Sequence, residues 1–379
     1  MKKALNLGAA LAVLVCLGGI FAWSEFVPAL RKAYGYTAAQ TQWIFGLTIA
    51  SFTTSMIGAG RLLYRWGPAR VAATGGLLFA AGYLVGAFTC DRFAGLLAGL
   101  GLLAGCGIGF GYVAPLATVM AWSPGRRGLA GGIAVAGFGS GAILLASLAA
   151  AGWRHGLEVS RLFGIIGLSY GAVILLAAAG LSRPPDSVVS AGAGRARPWK
   201  DARLRRLFLG MFCGTFAGLI MVGNLKPIAL SGGIAAGAAT ASISILAGAV
   251  LLLLPARASG PLFGLGAGLI GLGFGACFVV YAAEVAAHYG AGQVGGVYPL
   301  VFLAYGLAGL TGPALGGWLF DVSGTYRYSM LLAAAVAASG AALARMPAGR
   351  GAPTAPAFPS CHRPLFFTDS SIADRTKGT

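Results

Sequence analysis

Apolar residues fill this chain in runs of roughly twenty, each long enough to cross a hydrocarbon layer of about 30 Å as a helix. The pattern predicts six spans in the first half, at 5–30, 42–58, 71–90, 94–122, 129–152 and 162–181. A Pro-, Gly- and Arg-rich stretch, "SRPPDSVVSAGAGRARPWKDARLRR", then interrupts the pattern and reads as a linker over 182–206. Five further apolar segments follow at 207–225, 236–254, 261–287, 295–320 and 328–343. The second block is shorter than the first by about one helix and its loop, so eleven spans are expected rather than twelve. The fold class is an all-α membrane protein built from two bundles, residues 1–181 and 207–346. A polar, Pro-rich tail, 347–379, loses helical periodicity and is expected to be disordered.

Composition agrees with that reading. Hydrophobic residues make up 58% of the 379 and charged residues only 9%, against about a quarter in soluble domains. The 63 glycines fit a tightly packed bundle, because small residues let helix backbones approach where no hydrophobic drive separates helix from lipid. The net charge of +18 raises the question of nucleic acid. Nucleic-acid binding needs a continuous basic surface, whereas these arginines sit in short connections between spans, so nucleic acid is not an expected partner.

The basic residues instead orient the chain. Lys2, Lys3, Arg61, Arg65, Arg70, Arg126, Arg127 and the linker cations fall on one side, against Arg31, Lys32, Arg92, Arg154, Arg161 and Lys226 on the other. The positive-inside bias then puts the amino terminus and linker in the cytoplasm of a multi-pass inner (plasma) membrane protein. No cleavable leader is evident, since "ALNLGAALAVLVCLGGIFAW" after "MKK" is long enough to span and lacks a clear processing site. The cysteines are scattered and show no CxxC spacing, so no metal and no cofactor is expected.

Charges inside a membrane cost about 2.5 to 3.5 kcal/mol each or more, which makes intramembrane ionisable groups functional candidates. Glu25 lies about 33 Å along the first helix from Lys3; it is a solvated rim carboxylate or a cavity group that takes a proton. Lys226, before Pro227 in "GNLKPIAL", is a snorkelling interfacial lysine or an anchor for a substrate carboxylate, with Asn224 as a neutral partner. Glu284 and His288, four apart in "YAAEVAAHYG", share a helix face and form an interfacial pair or a proton relay. The glycine-rich run around Gly109 and Gly111 lies inside an apolar span and follows no strand, so it does not cradle phosphate. Ser, His and acid residues do not converge on a catalytic elbow, and no enzyme is expected.

Two halves around a basic linker, with a G-x-L-x-x-R-x-G turn after the second helix, resemble the major facilitator superfamily. Five stretches are similar to its oxalate/formate antiporter and monocarboxylate transporter branch: "FAWSEFVPAL", "GIGFGYVAPLATVMAW", "SPGRRGLAGGIAVAGFGSGA", "GTFAGLIMVGNLKPIAL" and "YPLVFLAYGLAGLTGPALGGWLFDVSGTY". The resemblance implies a monomeric secondary transporter working by alternating access around a midplane cavity, with a small carboxylate as substrate and the bilayer as its other partner. It implies proton symport or anion exchange. It puts Trp23, Tyr112 and Tyr305 at cavity positions, although each alone would suit packing or an aromatic belt.

The resemblance also makes a cytoplasmic gating turn of Gly60, Arg61, Tyr64, Arg65, Gly67 and Arg70, with Tyr64 standing where the family carries an acid. Tyr305 stands where oxalate carriers have a lysine, and the missing second-half segment would include their other cation. A monocarboxylate is therefore expected rather than a dianion. A degenerate relative that no longer transports is the alternative.

Overall fold

In lipid every backbone polar group needs an internal partner, so apolar runs become helices. The computed structural model describes residues 2–123, 127–183, 201–231 and 294–345, together with 271, 273–275, 277–278, 281 and 284–285. All lie in the unit Met1–Pro347. Among the described residues eight helices are long and apolar enough to cross a membrane, and a shorter one runs Arg327–Leu343.

Helix α1 (Lys2–Gly18) tightens into a 3-10 segment, Gly19–Glu25, before the short α2 (Val27–Tyr34). Next come α3 (Ala38–Leu63), α4 (Arg65–Phe88), α5 (Phe93–Ala121), α6 (Arg127–Arg154) and α7 (Val159–Ala179). Beyond the linker lie α8 (Ala202–Ser231), α9 (Val294–Ser323) and α10 (Arg327–Arg345).

Helix boundaries extend past the apolar runs. Thr37 caps α3 by accepting from the Gln40 amide at 3.1 Å, while the Gln40 side chain accepts from the Thr37 amide at 2.9 Å. Four residues are thereby added ahead of the expected start at Gln42. At the far end Arg61 continues the helix, because apolarity marks the part in lipid and not the end of the winding. Helical backbone runs on from α3 into α4, and the bend between the two spans falls at Gly67, whose φ of 78° disfavours a side chain, with Pro68 opening the stretch beyond it. The linker is likewise shorter than expected: α8 winds from Ala202.

Side chains at one end tie the described chain together. Asn6 accepts from the Ser182 amide at 2.6 Å, Trp122 donates to the Ser182 carbonyl at 2.8 Å, and Arg206 donates to the Leu343 carbonyl at 3.3 Å. The last described helix therefore ends where the first begins. An odd number of full crossings does not return a chain to its starting side, so the expected count of eleven spans is not confirmed.

Glycine sets the closest packing. Along the α4–α5 seam, a Cβ on Gly99 would lie 2.7 Å from the Gly82 carbonyl oxygen, and one on Gly107 would strike the Phe79 backbone nitrogen. Backbone contact of this kind gives dispersion energy that lipid cannot supply between the helices. Gly60, by contrast, has nothing within 4 Å of a Cβ position. Gly107→Ala should cost about 1–3 kcal/mol through overpacking and lower the unfolding temperature of the detergent-purified protein, whereas Gly60→Ala should not. Equal midpoints for the two variants would contradict the seam.

Candidate translocation site

The site lies where the first-half helices meet α8 and α9. Helices α3 and α9 run antiparallel, and small residues on α9 let them touch. A Cβ on Gly317 would sit 2.7 Å from the Ala38 carbonyl oxygen, and a Cβ on Gly46 would sit 2.6 Å from that of Gly309. Gly309 meets Ile49, and Gly306 meets Thr53.

At the outer limit of this seam Asp321 closes the contact. Its two carboxylate oxygens accept from the Ala38 amide at 2.9 Å and the Ala39 amide at 2.7 Å. A carboxylate at a helix N-terminus satisfies orphan donors and complements the helix dipole. Nearby, the Arg31 guanidinium lies 5.0 Å over the Phe320 ring, which stacks on Tyr326 at 4.2 Å. One turn further in, Gln42 donates to the Gly223 carbonyl at 2.8 Å and ties α3 to α8. The seam is therefore shut from Asp321 to Thr53. Towards the α3–α4 turn the contact is not continued among the described residues: Gly60, seven residues after Thr53 and so on the same face of α3, has none of them within 4 Å of a Cβ position.

Aromatic rings fill the middle. Phe52 of α3 packs edge-on against Tyr112 at 5.5 Å, and Tyr112 against Phe138 of α6 at 4.9 Å. Tyr305 completes the cluster from α9, 5.2 Å from both Phe278 and Phe302. It is fully buried, and its hydroxyl has no hydrogen-bond partner among the described residues. Where a wet, carboxylate-sized chamber was expected, aromatic side chains meet, and a cavity among the described residues measures about 20 Å³, room for about one water. It is lined by Trp23, Phe45, Thr48 and Tyr83 among others, inside the first half.

The structure brings some expected site residues together and separates others. Tyr112 and Tyr305 do share the aromatic cluster. Trp23 is buried, but its indole N–H is taken by the Thr41 carbonyl at 3.1 Å, so it fastens the 3-10 segment to α3. Glu25 is 1% exposed, which removes the solvated-rim reading. Asn224 is buried against Gly316; its amide donates to the Ile220 carbonyl at 2.9 Å and its carbonyl oxygen has no partner among the described residues. Glu284 is exposed.

Lys226 belongs to α8 by its backbone, but its side chain lies outside the described residues, as do the Tyr64 side chain and all of His288. In the expected gating turn, Arg61, Arg65 and Arg70 are exposed. Asp321 and Gln42 were not anticipated as site residues. The available signal was chemical scarcity, since Asp321 is one of only nine acidic residues and directly follows an apolar run.

Two sets of membrane-crossing helices meeting along a seam that is closed at one end define a carrier of the two-bundle type. The family model of the Major Facilitator Superfamily matches residues 8–255, and the chain belongs to that family of membrane transporters. It is 30% identical to monocarboxylate transporter 11 of Homo sapiens, over 83% of this chain and 76% of that protein. It is 28% identical to the oxalate:formate antiporter of Oxalobacter formigenes, over 62% of this chain and 57% of that one. The fold is similar to the crystal structure of a bacterial homolog to the human lysosomal transporter Spinster, in an inward-facing and unoccupied conformation. That likeness has a TM-score of 0.70 at 15% identity and covers 90% of this chain and 96% of the other.

An unpartnered buried hydroxyl gains nothing from burial, whereas the ring beneath it fills the centre. Tyr305→Phe should therefore leave the unfolding temperature unchanged or raise it, while Tyr305→Ala should cost about 3–5 kcal/mol. A fall in stability for Tyr305→Phe would show that the hydroxyl has a partner.

Proposed function

We propose that this chain is a secondary active transporter of a small organic monocarboxylate, coupled to a proton or to a counter-anion. Bundles formed by residues 1–181 and 207–346 rock about the aromatic centre. The single observation that carries this reading is the asymmetric seam. Backbone contact and the Asp321 cap hold it shut from one end to the middle, while past Thr53 the seam-facing Gly60 meets none of the described residues. Alternating access needs two such half-seams, closed in turn.

The substrate class rests on the relatives named for monocarboxylates and for oxalate and formate, and on the uncharged Tyr305 in the centre, which offers a dianion no cation. Glu25, buried in the first half, is the carboxylate best placed to carry a coupled proton. The end holding Lys2, Arg61 and Arg206 is assigned to the cytoplasm by the positive-inside bias.

A second reading, a relative that inserts but does not transport, is favoured by the aromatic filling of the centre. Proteoliposome uptake separates the two. Saturable uptake of labelled lactate or formate, with little for oxalate, is expected; no saturable flux for any monocarboxylate would leave the second reading.

The Asp321 cap makes its own prediction. Asp321→Ala removes two charge-assisted bonds from a helix terminus, about 1–2 kcal/mol in a favourable geometry. An Ala38→Cys reporter, buried where α3 meets Gly317, should then label with a membrane-impermeant maleimide roughly 5–30 times faster than the same reporter with Asp321 intact. An unchanged rate would remove the gate.

A further inference from the structure

At the α3–α4 turn Arg61, Arg65 and Arg70 gather positive charge with no acidic side chain paired to them among the described residues. Arg61 of α3 and Arg65 at the start of α4 stand four apart in helical backbone ahead of the Gly67 kink, hence on one face, and Arg70 lies three residues past that kink. All three are exposed, and none of them makes a hydrogen bond or ion pair with the described residues. The ion pair seen among the described residues is Arg92 with Asp91, at the opposite end of the helices. A fourth guanidinium joins them: Arg183, beyond α7, donates to the Leu63 carbonyl. The quoted turn "GRLLYRWGPAR" contains no acid.

Two further features give the depth and shape of a ligand. Trp66, 44% exposed between Arg65 and Gly67, is an aromatic of the kind that settles at headgroup level. Down α4, Leu77 falls on the face of Arg70, seven residues on, and is 59% exposed. A cationic head therefore stands directly above an apolar strip.

We propose that this turn binds the phosphate of an anionic glycerophospholipid, whose acyl chain lies along the Leu77 face of α4. Arginine forks phosphate oxygens bidentately, and the positive end of α4 adds to the field. A soluble phosphate would use the guanidinium groups but not the apolar strip, which is why the lipid is the occupant.

The test uses the full-length protein in a neutral detergent. Short-chain phosphatidylglycerol, short-chain phosphatidylcholine and inorganic phosphate are titrated separately, with thermal shift and native mass spectrometry as readouts. Phosphatidylglycerol is expected to be retained and to raise the unfolding temperature, and phosphatidylcholine is not. Each arginine replaced by glutamine at 61, 65 or 70 should weaken phosphatidylglycerol binding roughly fivefold. The Arg→Lys triple variant should keep most of it, and so guards against a loss caused by misfolding. An Arg154→Gln/Arg161→Gln control at the opposite end should bind as wild type does.

Three outcomes would overturn the proposal: equal retention of both lipids, an equal stabilisation by inorganic phosphate, or undiminished binding in the triple glutamine variant. These readouts need no transport, so they are independent of the substrate assignment.

Discussion

Backbone-to-backbone contact between helices is the constraint on which the rest depends. Lipid tails are as apolar as leucine, so nothing but close packing and polar contacts tells one helix to prefer another. Glycine supplies that preference along α4–α5 and again along α3–α9, where Gly306, Gly309 and Gly317 bring the halves into contact. The first seam holds the first-half helices α4 and α5 together. The second, between halves, is joined by those glycines, by the rings of Phe52, Phe302 and Tyr305, and by an aspartate on a helix end.

Much of the architecture was legible because the bilayer leaves so few solutions. Apolar runs located the helices, and the basic connections grouped at one end as the charge bias indicated. Boundaries were less legible. The capping box of Thr37 and Gln40 lies ahead of the apolar run, and Arg61 winds beyond its end, so hydropathy marked immersion rather than helix length. The break inside the first span was hidden as well, since "GGIFAW" is as apolar as its surroundings.

The candidate site was less legible than the fold. Aromatic residues at 112 and 305 were anticipated, and both enter the central cluster. Their partners Phe52 and Phe302 carried no signal, because a phenylalanine in an apolar run looks the same whether it meets lipid or another ring. Asp321 and Ala38 are far apart in sequence, and only the antiparallel register of α3 and α9 joins them. The tryptophan at 23 shows the reverse error: a polar handle that suggested a ligand contact is spent on a neighbouring carbonyl.

The tightened winding of Gly19–Glu25 has one more effect. A 3-10 helix turns about 120° and rises about 2.0 Å per residue, against about 100° and 1.5 Å for an α-helix. Over seven residues the difference accumulates to about 140° of azimuth and 3.5 Å of advance. A helical wheel drawn straight through Gly18 therefore assigns Glu25 to the wrong sector. The locally overwound screw, rather than the residue's distance along the chain, turns this carboxylate inward.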